Sequence, residues 1–367
     1  MDLRSKRTTQ MLVAAVAALL LVGVGAAHVI NTQAASRSGK HKPTPTATRT
    51  ATLTPTPVPV PTATPTATAT PSGSAHAIKT VFVIVMENHN WSQIKGSTSA
   101  PYINSLLTRS DASYATQYYN PPGLHPSEPN YVWLEAGGNT GLPNTNTGGT
   151  VDFTTDNDPS ASNSTSTTDH LVSYLAKIGV SWKSYQENIS GTACPLTSSG
   201  LYAAKHNPFV FFQDVTNNNS ASSATCIAHE RPYSELATDL ANNTVARYNF
   251  ITPNLCDDMH NSTGCATKDS ISNGDTWLSH NLPTILNSQA YKNGGAVFLT
   301  WDEAASGDGP IGMVVLSPEA KGNGYNNTIH YTHSSTVRTI EEIFGASPLL
   351  RDAQNATDLS DLFTTFP

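Results

Sequence analysis

A short apolar run near residue 80 constrains the fold more than any other part of the sequence. Residues 81–90 are VFVIVMENHN, in which apolar and mostly β-branched residues stop abruptly at an acid, an amide and a histidine. A continuous run of this kind predicts a strand that is buried on both faces, as in a parallel sheet. Chemistry in open α/β folds takes place at the carboxyl ends of such strands. We therefore interpret Glu87 and Asn88 as metal ligands at that edge of the sheet.

Further along the chain, predicted strands alternate with predicted helices. The strands are residues 180–185, 248–252, 296–301 and 311–317, and the helices are residues 102–107, 127–135, 168–178, 234–240, 275–286 and 334–344. This alternation favours an α/β fold with a mostly parallel sheet and helices on both faces. Residues 137–166 are poor in apolar side chains and are interpreted as a long surface excursion.

Two later strands also end in polar side chains. Asp257, Asp258 and His260 follow the strand at 248–252, and Asp302 and Glu303 follow the strand at 296–301. Because parallel strands end at the same edge of a sheet, we expect these groups to meet the acid and amide that follow the first strand. Three such coincidences indicate one shared site.

Ser127 precedes Glu128 and Pro129 at the start of a predicted helix. A serine before proline is a usual helix start, in which the hydroxyl caps the helix, and this structural role is one interpretation. The other interpretation is functional. A hydroxyl at a helix N-terminus faces free N–H groups and the positive end of the helix dipole, which suit a phosphate anion and a nucleophilic alkoxide.

The polar groups at the predicted edge form an all-oxygen ligand set, which suits a divalent cation. The predicted ligands are Glu87, Asn88, Ser127, Asp302 and Glu303. A metal beside a serine lowers the pKa of its hydroxyl and makes it a nucleophile. These residues predict a metal-assisted phosphoryl transfer through a phosphoserine.

Three histidines are candidates for the remaining chemistry. His206, His260 and His333 are predicted to hold phosphate oxygens or to protonate a leaving group. Asp257 or Asp258 would orient a histidine or bind the same ion.

The other histidines carry less weight. His89 and His125 are adjacent to the proposed site and are second choices. His170, His229 and His280 are interpreted as surface or hydrogen-bonded histidines without a chemical role.

The first 76 residues do not have a globular composition. Basic residues precede an uncharged apolar run at 11–27, which predicts either a cleaved secretion signal or an uncleaved membrane anchor. The following segment is nearly all Pro, Thr and Ala, so it predicts a disordered linker or a glycosylated stalk. We assign residues 1–35 to the signal or anchor, 36–76 to the linker and 77–367 to one globular domain.

Charge and cysteine content limit the functional classes further. The formal net charge of -7 and the lack of a basic stripe argue against a nucleic-acid binder. Four cysteines in an exported chain favour two disulfides, for which three connectivities exist. Pairing between neighbours in the sequence predicts Cys194–Cys226 and Cys256–Cys265.

Several motifs, taken in order, resemble those of the phosphoesterase family of secreted acid phosphatases and phospholipases C. They are VIVMENHNW, HPSEPNYVWLEAG, KHNPFVFFQD, FITPNLCDDMH, TWDE and YTHSSTVRTIEEIFG, within residues 78–363. The resemblance implies a three-layer α/β/α sandwich similar to alkaline phosphatase. It also implies a catalytic domain with one divalent metal on the oxygen ligands named above and Ser127 as nucleophile. His260 and His333 would lie near the phosphate, with His206 as a less certain addition.

The resemblance leaves alternatives within and outside the enzyme class. The chain is short, without additional C-terminal domains, which favours hydrolysis of phosphate monoesters over a phospholipase C acting on phospholipid head groups. The segment 304–309, AASGDG, is short, so the sequence does not predict a lid or an additional ligand there. A catalytically inactive binding module, displayed at the cell surface on a glycosylated stalk, is the alternative from another class. In each case we expect a secreted or extracellular protein, with anchoring through its N-terminal segment left open.

Overall fold

A computed structural model of the protein describes residues 76–367. The predicted signal or anchor segment, and all but the last residue of the predicted linker, lie outside the described residues. Among residues 76–367, no helix is long and apolar enough to cross a bilayer.

Twelve strands and ten α-helices make up the described chain, together with short 3-10 turns. The strands are β1 Thr80–Met86, β2 Ala112–Ala115, β3 Tyr118–Tyr119, β4 Leu142–Asn144, β5 Gly149–Val151, β6 Trp182–Gln186, β7 Glu230–Pro232, β8 Tyr248–Thr252, β9 Gly295–Trp301, β10 Met313–Leu316, β11 Asn326–Asn327 and β12 Tyr331–Thr332. The helices are α1 Trp91–Ile94, α2 Pro101–Leu106, α3 Ser127–Ala136, α4 Leu171–Lys177, α5 Gln213–Thr216, α6 Ala224–His229, α7 Leu236–Ala241, α8 Ser270–Leu286, α9 Gln289–Lys292 and α10 His333–Phe344. The 3-10 turns are Ala204–His206, Pro208–Phe211, Tyr233–Glu235, Arg351–Asn355 and Ser360–Leu362.

Eight of the strands form one sheet in the order β11-β2-β10-β9-β1-β8-β6-β7. β1 lies inside this sheet and pairs in parallel with both β8 and β9. β6 continues the parallel arrangement, whereas β10 runs antiparallel to β9 and to β2. Every residue of β8 and β9 is buried, as is every residue of β1 except Thr80, which fits the largely apolar sequences of β1 and β9. The predicted α/β class with a mostly parallel sheet is confirmed.

The helices pack in two groups. α8 contacts α2, α7 and α9, whereas α10 contacts α3 and α4. α10 begins at a capping box between Thr332 and Ser335, and it ends at Gly345, whose φ of 72° is the left-handed conformation that glycine adopts readily. The predicted stop at Gly345 is therefore confirmed.

The start of α8 differs from the prediction, which placed it at Asp275. The helix begins at Ser270, because the side chain of Asp269 accepts the N–H of Ser272. Asp275 instead accepts the N–H groups at the start of α2. Gly274 is retained inside the helix because a Cβ there would lie 2.4 Å from Cγ of Met259. The apparent start signal is a packing contact between two segments.

The segment 137–166 is also more ordered than a surface excursion. It contains the antiparallel pair of β4 and β5, and it buries Leu142 and Phe153 completely or nearly so. The predicted disulfides are both present, Cys194–Cys226 and Cys256–Cys265.

Candidate active site

The carboxyl ends of three neighbouring strands, β9, β1 and β8, bring the predicted acids together. The N–H of Glu87 donates to the carbonyl of Asp258 at 2.7 Å, and the N–H of Asp302 donates to the carbonyl of Met86 at 2.9 Å. The N–H of Asn88 donates to Oδ1 of Asp302 at 2.9 Å. Asn88 has a φ of 53°, which asparagine tolerates well. Backbone geometry therefore fixes these groups relative to one another.

Ser127 is the first residue of α3, and its hydroxyl does not cap the helix. The hydroxyl donates to Oε2 of Glu87 at 3.0 Å, and Nδ2 of Asn88 donates to the same oxygen at 2.7 Å. The capping interpretation is wrong, because the serine hydroxyl donates to Glu87, which follows β1, and not to the backbone of α3.

Tyr131 is a site residue that the sequence analysis missed. Its hydroxyl donates to Oε1 of Glu87 at 2.7 Å, and its ring stacks on His206 with the ring centres 5.2 Å apart. Tyr131 follows Ser127 by four residues on α3, so both side chains lie on one face of the helix. This spacing was the available signal.

Glu303 lies at the rim of the same site. Its Oε2 is 2.8 Å from Nδ1 of His125, and it accepts a hydrogen bond from Nδ2 of Asn130 at 3.1 Å. Asn130 was not predicted, although it follows Ser127 by three residues on the same helical face. These two partners of the Glu303 side chain lie on the loop before α3 and on α3 itself.

His260 lies on the loop that the Cys256–Cys265 disulfide closes. The backbone N–H of His260 donates to Oδ1 of Asp258 at 2.7 Å, and the ring centre of His260 lies 5.6 Å from that of His206. The side chain of His260 is exposed, whereas His206 is 1% exposed. One histidine therefore reaches solvent while the other forms part of the interior wall.

His333 lies behind the acids and has protein partners at both ring nitrogens. Nε2 is 2.6 Å from the carbonyl of Asp302, and Nδ1 is 3.1 Å from the hydroxyl of Tyr118. With Nε2 as the donor, the ring fixes the backbone of Asp302. Burial lowers the pKa of His333 to about 4, so it is neutral at ordinary pH. This geometry favours a positioning role, and direct contact with phosphate stays a prediction.

Three buried carboxyl groups face one another at the centre of the site. Burial raises the pKa of Glu87 well above its usual value, and the charges of Asp302 and Asp258 raise it further. Burial likewise raises the pKa of Asp258, and the charge of Asp302 adds to the effect. The pKa of Asp302 is raised to about 7 by burial and by the charge of Glu303. Such repulsion favours binding of a cation among these groups.

Unpartnered polar atoms support the same conclusion. Within residues 76–367, Oδ2 of Asp302, Oδ2 of Asp258 and Nε2 of His206 are buried without a hydrogen-bond partner. Nε2 of His206 lies 3.4 Å from Oε1 of Glu87. Ligand atoms of Glu87, His206 and His260 lie within 4.8 Å of one another, which suits a divalent cation. The donor set thus fits a metal, and His206 and His260 lie beside the oxygen ligands expected from the sequence.

Comparisons with known proteins agree with this chemistry. The model of the phosphoesterase family matches residues 111–347, which is more than half of the chain. A phosphatidylinositol-3-phosphatase of Mycobacterium tuberculosis is 29% identical over 77% of this chain and 82% of that protein. A probable acid phosphatase of Kluyveromyces lactis is 28% identical over 62% of this chain and 48% of that protein. The chain thus spans about half the length of this fungal relative.

One solved structure, a protein in the alkaline phosphatase superfamily from Vibrio parahaemolyticus, matches with a TM-score of 0.48 and 10% sequence identity. The match covers 78% of this chain and 72% of that one. From the family model and the phosphatase relatives, the chain belongs to the phosphoesterase family and is a hydrolase acting on phosphoric ester bonds.

Proposed function

We propose that this chain is an exported, metal-dependent phosphomonoesterase that forms a phosphoserine at Ser127. The observation that carries the proposal is the hydrogen bond of 3.0 Å from the hydroxyl of Ser127 to Oε2 of Glu87, at the edge where Asp302 and Asp258 also lie. A serine in this position has a proton acceptor beside it, as a nucleophile requires.

In the first step, Oγ of Ser127 attacks phosphorus, and the hydroxyl proton passes to Oε2 of Glu87. The bond between phosphorus and the ester oxygen breaks, and the leaving alcohol takes a proton from His260. Exposure of His260 beside the buried acids supports this role. In the second step, water attacks the phosphoserine, gives its proton to His260 and releases phosphate, while Ser127 regains its proton from Glu87.

One divalent metal is part of the proposal. Glu87, Asn88, Ser127 and Asp302 would hold it, with Glu303 at the rim and His206 and Asp258 as further donors. When bound, a divalent cation lowers the pKa of a neighbouring hydroxyl and offsets the charge of phosphate oxygens. The unpartnered oxygens of Asp302 and Asp258 support this assignment.

We also propose an alkaline-phosphatase-like three-layer sandwich and an extracellular location for this chain. Two separate groups of helices around a mostly parallel sheet support an alkaline-phosphatase-like three-layer sandwich. Two disulfides support an extracellular, oxidising location. The substrate class is a small phosphate monoester or a phosphorylated lipid head group. The mycobacterial relative, named as a phosphatidylinositol-3-phosphatase, supports including the lipid.

The test replaces the nucleophile. Ser127→Ala should lower kcat with p-nitrophenyl phosphate by about 1,000-fold or more, because the covalent path is lost. Acid quenching of the wild type with radiolabelled substrate should trap phosphate on the peptide that contains Ser127. Ser334→Ala is the matched control, since Ser334 is also buried in the first turn of a helix. Undiminished turnover in Ser127→Ala would refute the proposal.

A phospholipase C would cleave a phosphodiester instead. Assays with phosphatidylcholine and with a phosphate monoester, run on the same metal-loaded protein, separate the two activities. We expect phosphate release from the monoester and no diacylglycerol from phosphatidylcholine. Diacylglycerol formation at the faster rate would replace the monoesterase with the phospholipase.

A further inference from the structure

Lys205 is a charged residue beside the site to which the sequence analysis gave no role. It lies in the 3-10 turn Ala204–His206, directly before His206. Its ammonium pairs with Oδ2 of Asp156, and its side chain is 20% exposed. The ammonium is therefore held in place, yet it is accessible from solvent.

The partner of Lys205 connects it to the helix that carries Ser127. Oδ1 of Asp156 accepts the N–H of Glu128 at 3.1 Å, and Glu128 is the residue after Ser127. One carboxylate thus contacts both the ammonium and the backbone of the first turn of α3. Glu128 in turn accepts the N–H of Asn157 at 2.6 Å, which fastens the segment bearing Asp156 to the helix. This network fixes where the lysine charge lies relative to Ser127.

Lys205 is also joined to the site through its neighbour in the sequence. It directly precedes His206, whose Nε2 lies 3.4 Å from Oε1 of Glu87. Its partner Asp156 contacts the N–H of Glu128, next to Ser127. The ion pair therefore lies between the turn that carries His206 and the start of the helix that carries Ser127.

We propose that Lys205, positioned by Asp156, binds the non-bridging oxygen of a phosphate monoester that is an ester oxygen in a diester, and so selects monoesters over diesters. This inference rests on the proposed phosphomonoesterase function. A phosphate monoester carries about −1.5 to −2 charges at pH 7, and a diester carries less. A site with several carboxylates repels the additional charge unless a fixed cation compensates for it. An ammonium has three donors, so the pair with Asp156 leaves others for the ligand.

The proposed binding role of Lys205 can be tested without a large loss of stability. Lys205–Asp156 is a partly exposed ion pair, and such pairs contribute about 0–1 kcal/mol to stability. Lys183–Asp239 is a matched pair of similar exposure, at 2.5 Å, on the part of β6 remote from its carboxyl end. Lys183→Met is therefore the control for Lys205→Met.

The experiment measures kcat/KM for p-nitrophenyl phosphate and for bis(p-nitrophenyl) phosphate, and it measures binding of inorganic phosphate by calorimetry. In Lys205→Met, monoester kcat/KM and phosphate affinity should each fall by about 10- to 100-fold, as for loss of one charged hydrogen bond. The diester value should fall by less than about 3-fold, because a diester lacks the additional charge. Lys205→Arg should restore most of the loss, and Lys183→Met should match the wild type.

Equal losses for both esters, or unchanged phosphate affinity, would overturn the role of Lys205. The calorimetric measurement separates this inference from the proposed function. If the wild type bound phosphate in a manner dependent on Lys205 but turned over neither ester, the catalytic proposal would fail while the binding role stood. If Ser127→Ala abolished turnover but Lys205→Met changed nothing, the reverse would hold.

Discussion

Two buried histidines in this chain lie between acids, and their surroundings differ. Nδ1 of His170 is 2.8 Å from Oε1 of Glu135, and Nε2 is 3.0 Å from Oδ2 of Asp214. Burial alone would lower the pKa of His170, but hydrogen bonds to Asp214 and Glu135 outweigh it and raise the pKa to about 9. This histidine is charged and fully paired at neutral pH.

His206 has the opposite character. Its nitrogens lie 3.3 Å from Oδ2 of Asp258 and 3.4 Å from Oε1 of Glu87, but Nε2 has no hydrogen-bond partner within residues 76–367. Burial lowers its pKa well below the usual value. The neutral ring therefore presents a lone pair to the site.

The difference separates a cluster that stabilises the fold from one that is arranged for a ligand. A buried charge that is paired at both nitrogens is already satisfied by the protein. Acids and a neutral histidine with unpartnered atoms stay costly until something outside the chain binds them. Three predictions use this contrast, in order of decreasing effect.

Asp302→Asn should separate activity from stability most clearly. We expect activity to fall by about 1,000-fold or more, because the proposed metal site loses a charged ligand. The metal-free protein should keep or gain unfolding free energy, because one of three repelling carboxylates is removed. Paired measurements of p-nitrophenyl phosphate turnover and of urea unfolding with a chelator present decide this. A metal-free variant that is clearly less stable would place Asp302 with the structural acids.

His170→Ala should have the reverse pattern. Removing the shared partner leaves Glu135 and Asp214 without their counter-charge, which costs about 3–5 kcal/mol of unfolding free energy. Specific activity of the folded fraction should stay within about 2-fold, because His170 contacts no residue of the site. Urea titration measures the first effect. His280→Ala, an exposed histidine, is the control and should change neither quantity. A selective loss of turnover would remove the distinction between the two clusters.

The unfolding free energy should also depend on pH through the charge of His170. Its folded pKa of about 9 exceeds the unfolded value, so its contribution is complete below about pH 6.5 and is lost as pH rises through about 9. Burial raises the pKa of Glu135, which acts with the same sign. Between these pH values, wild type should lose up to about 3 kcal/mol more than His170→Gln. The same change in unfolding free energy between pH 6 and pH 9 for the two proteins would contradict this.

The sequence predicted the parts of the site that depend on strand ends. Glu87, Asp258 and Asp302 follow apolar runs, and the carboxyl ends of parallel strands coincide, so their meeting follows from local patterns. His170 was correctly interpreted as a hydrogen-bonded histidine. The assignment of Glu303 and His333 to metal and phosphate stays a prediction.

The sequence could not predict contacts that depend on how segments pack. Ser127 had both a capping and a functional interpretation, and the sequence alone did not exclude the cap; its hydroxyl donates to Glu87 because α3 packs near the end of β1. Asp275 looked like the start of α8, yet it binds the N-terminus of α2. Lys205 meets Asp156 across 49 positions of sequence, which no periodicity reveals.

The position of β1 between β8 and β9 affects how the domain can fold during synthesis. Thr80 is in register with Gly295 of β9, and Val81 with Tyr248 of β8, so both neighbours of β1 come from far along the chain. Long-range parallel pairing forms slowly, because the entropy cost of closing a long loop precedes any stabilising contact between the strands. During synthesis, Glu87 and Ser127 are translated long before β8 and β9, between which β1 lies. A chain truncated before β9 would lack Asp302 and could not form the proposed site.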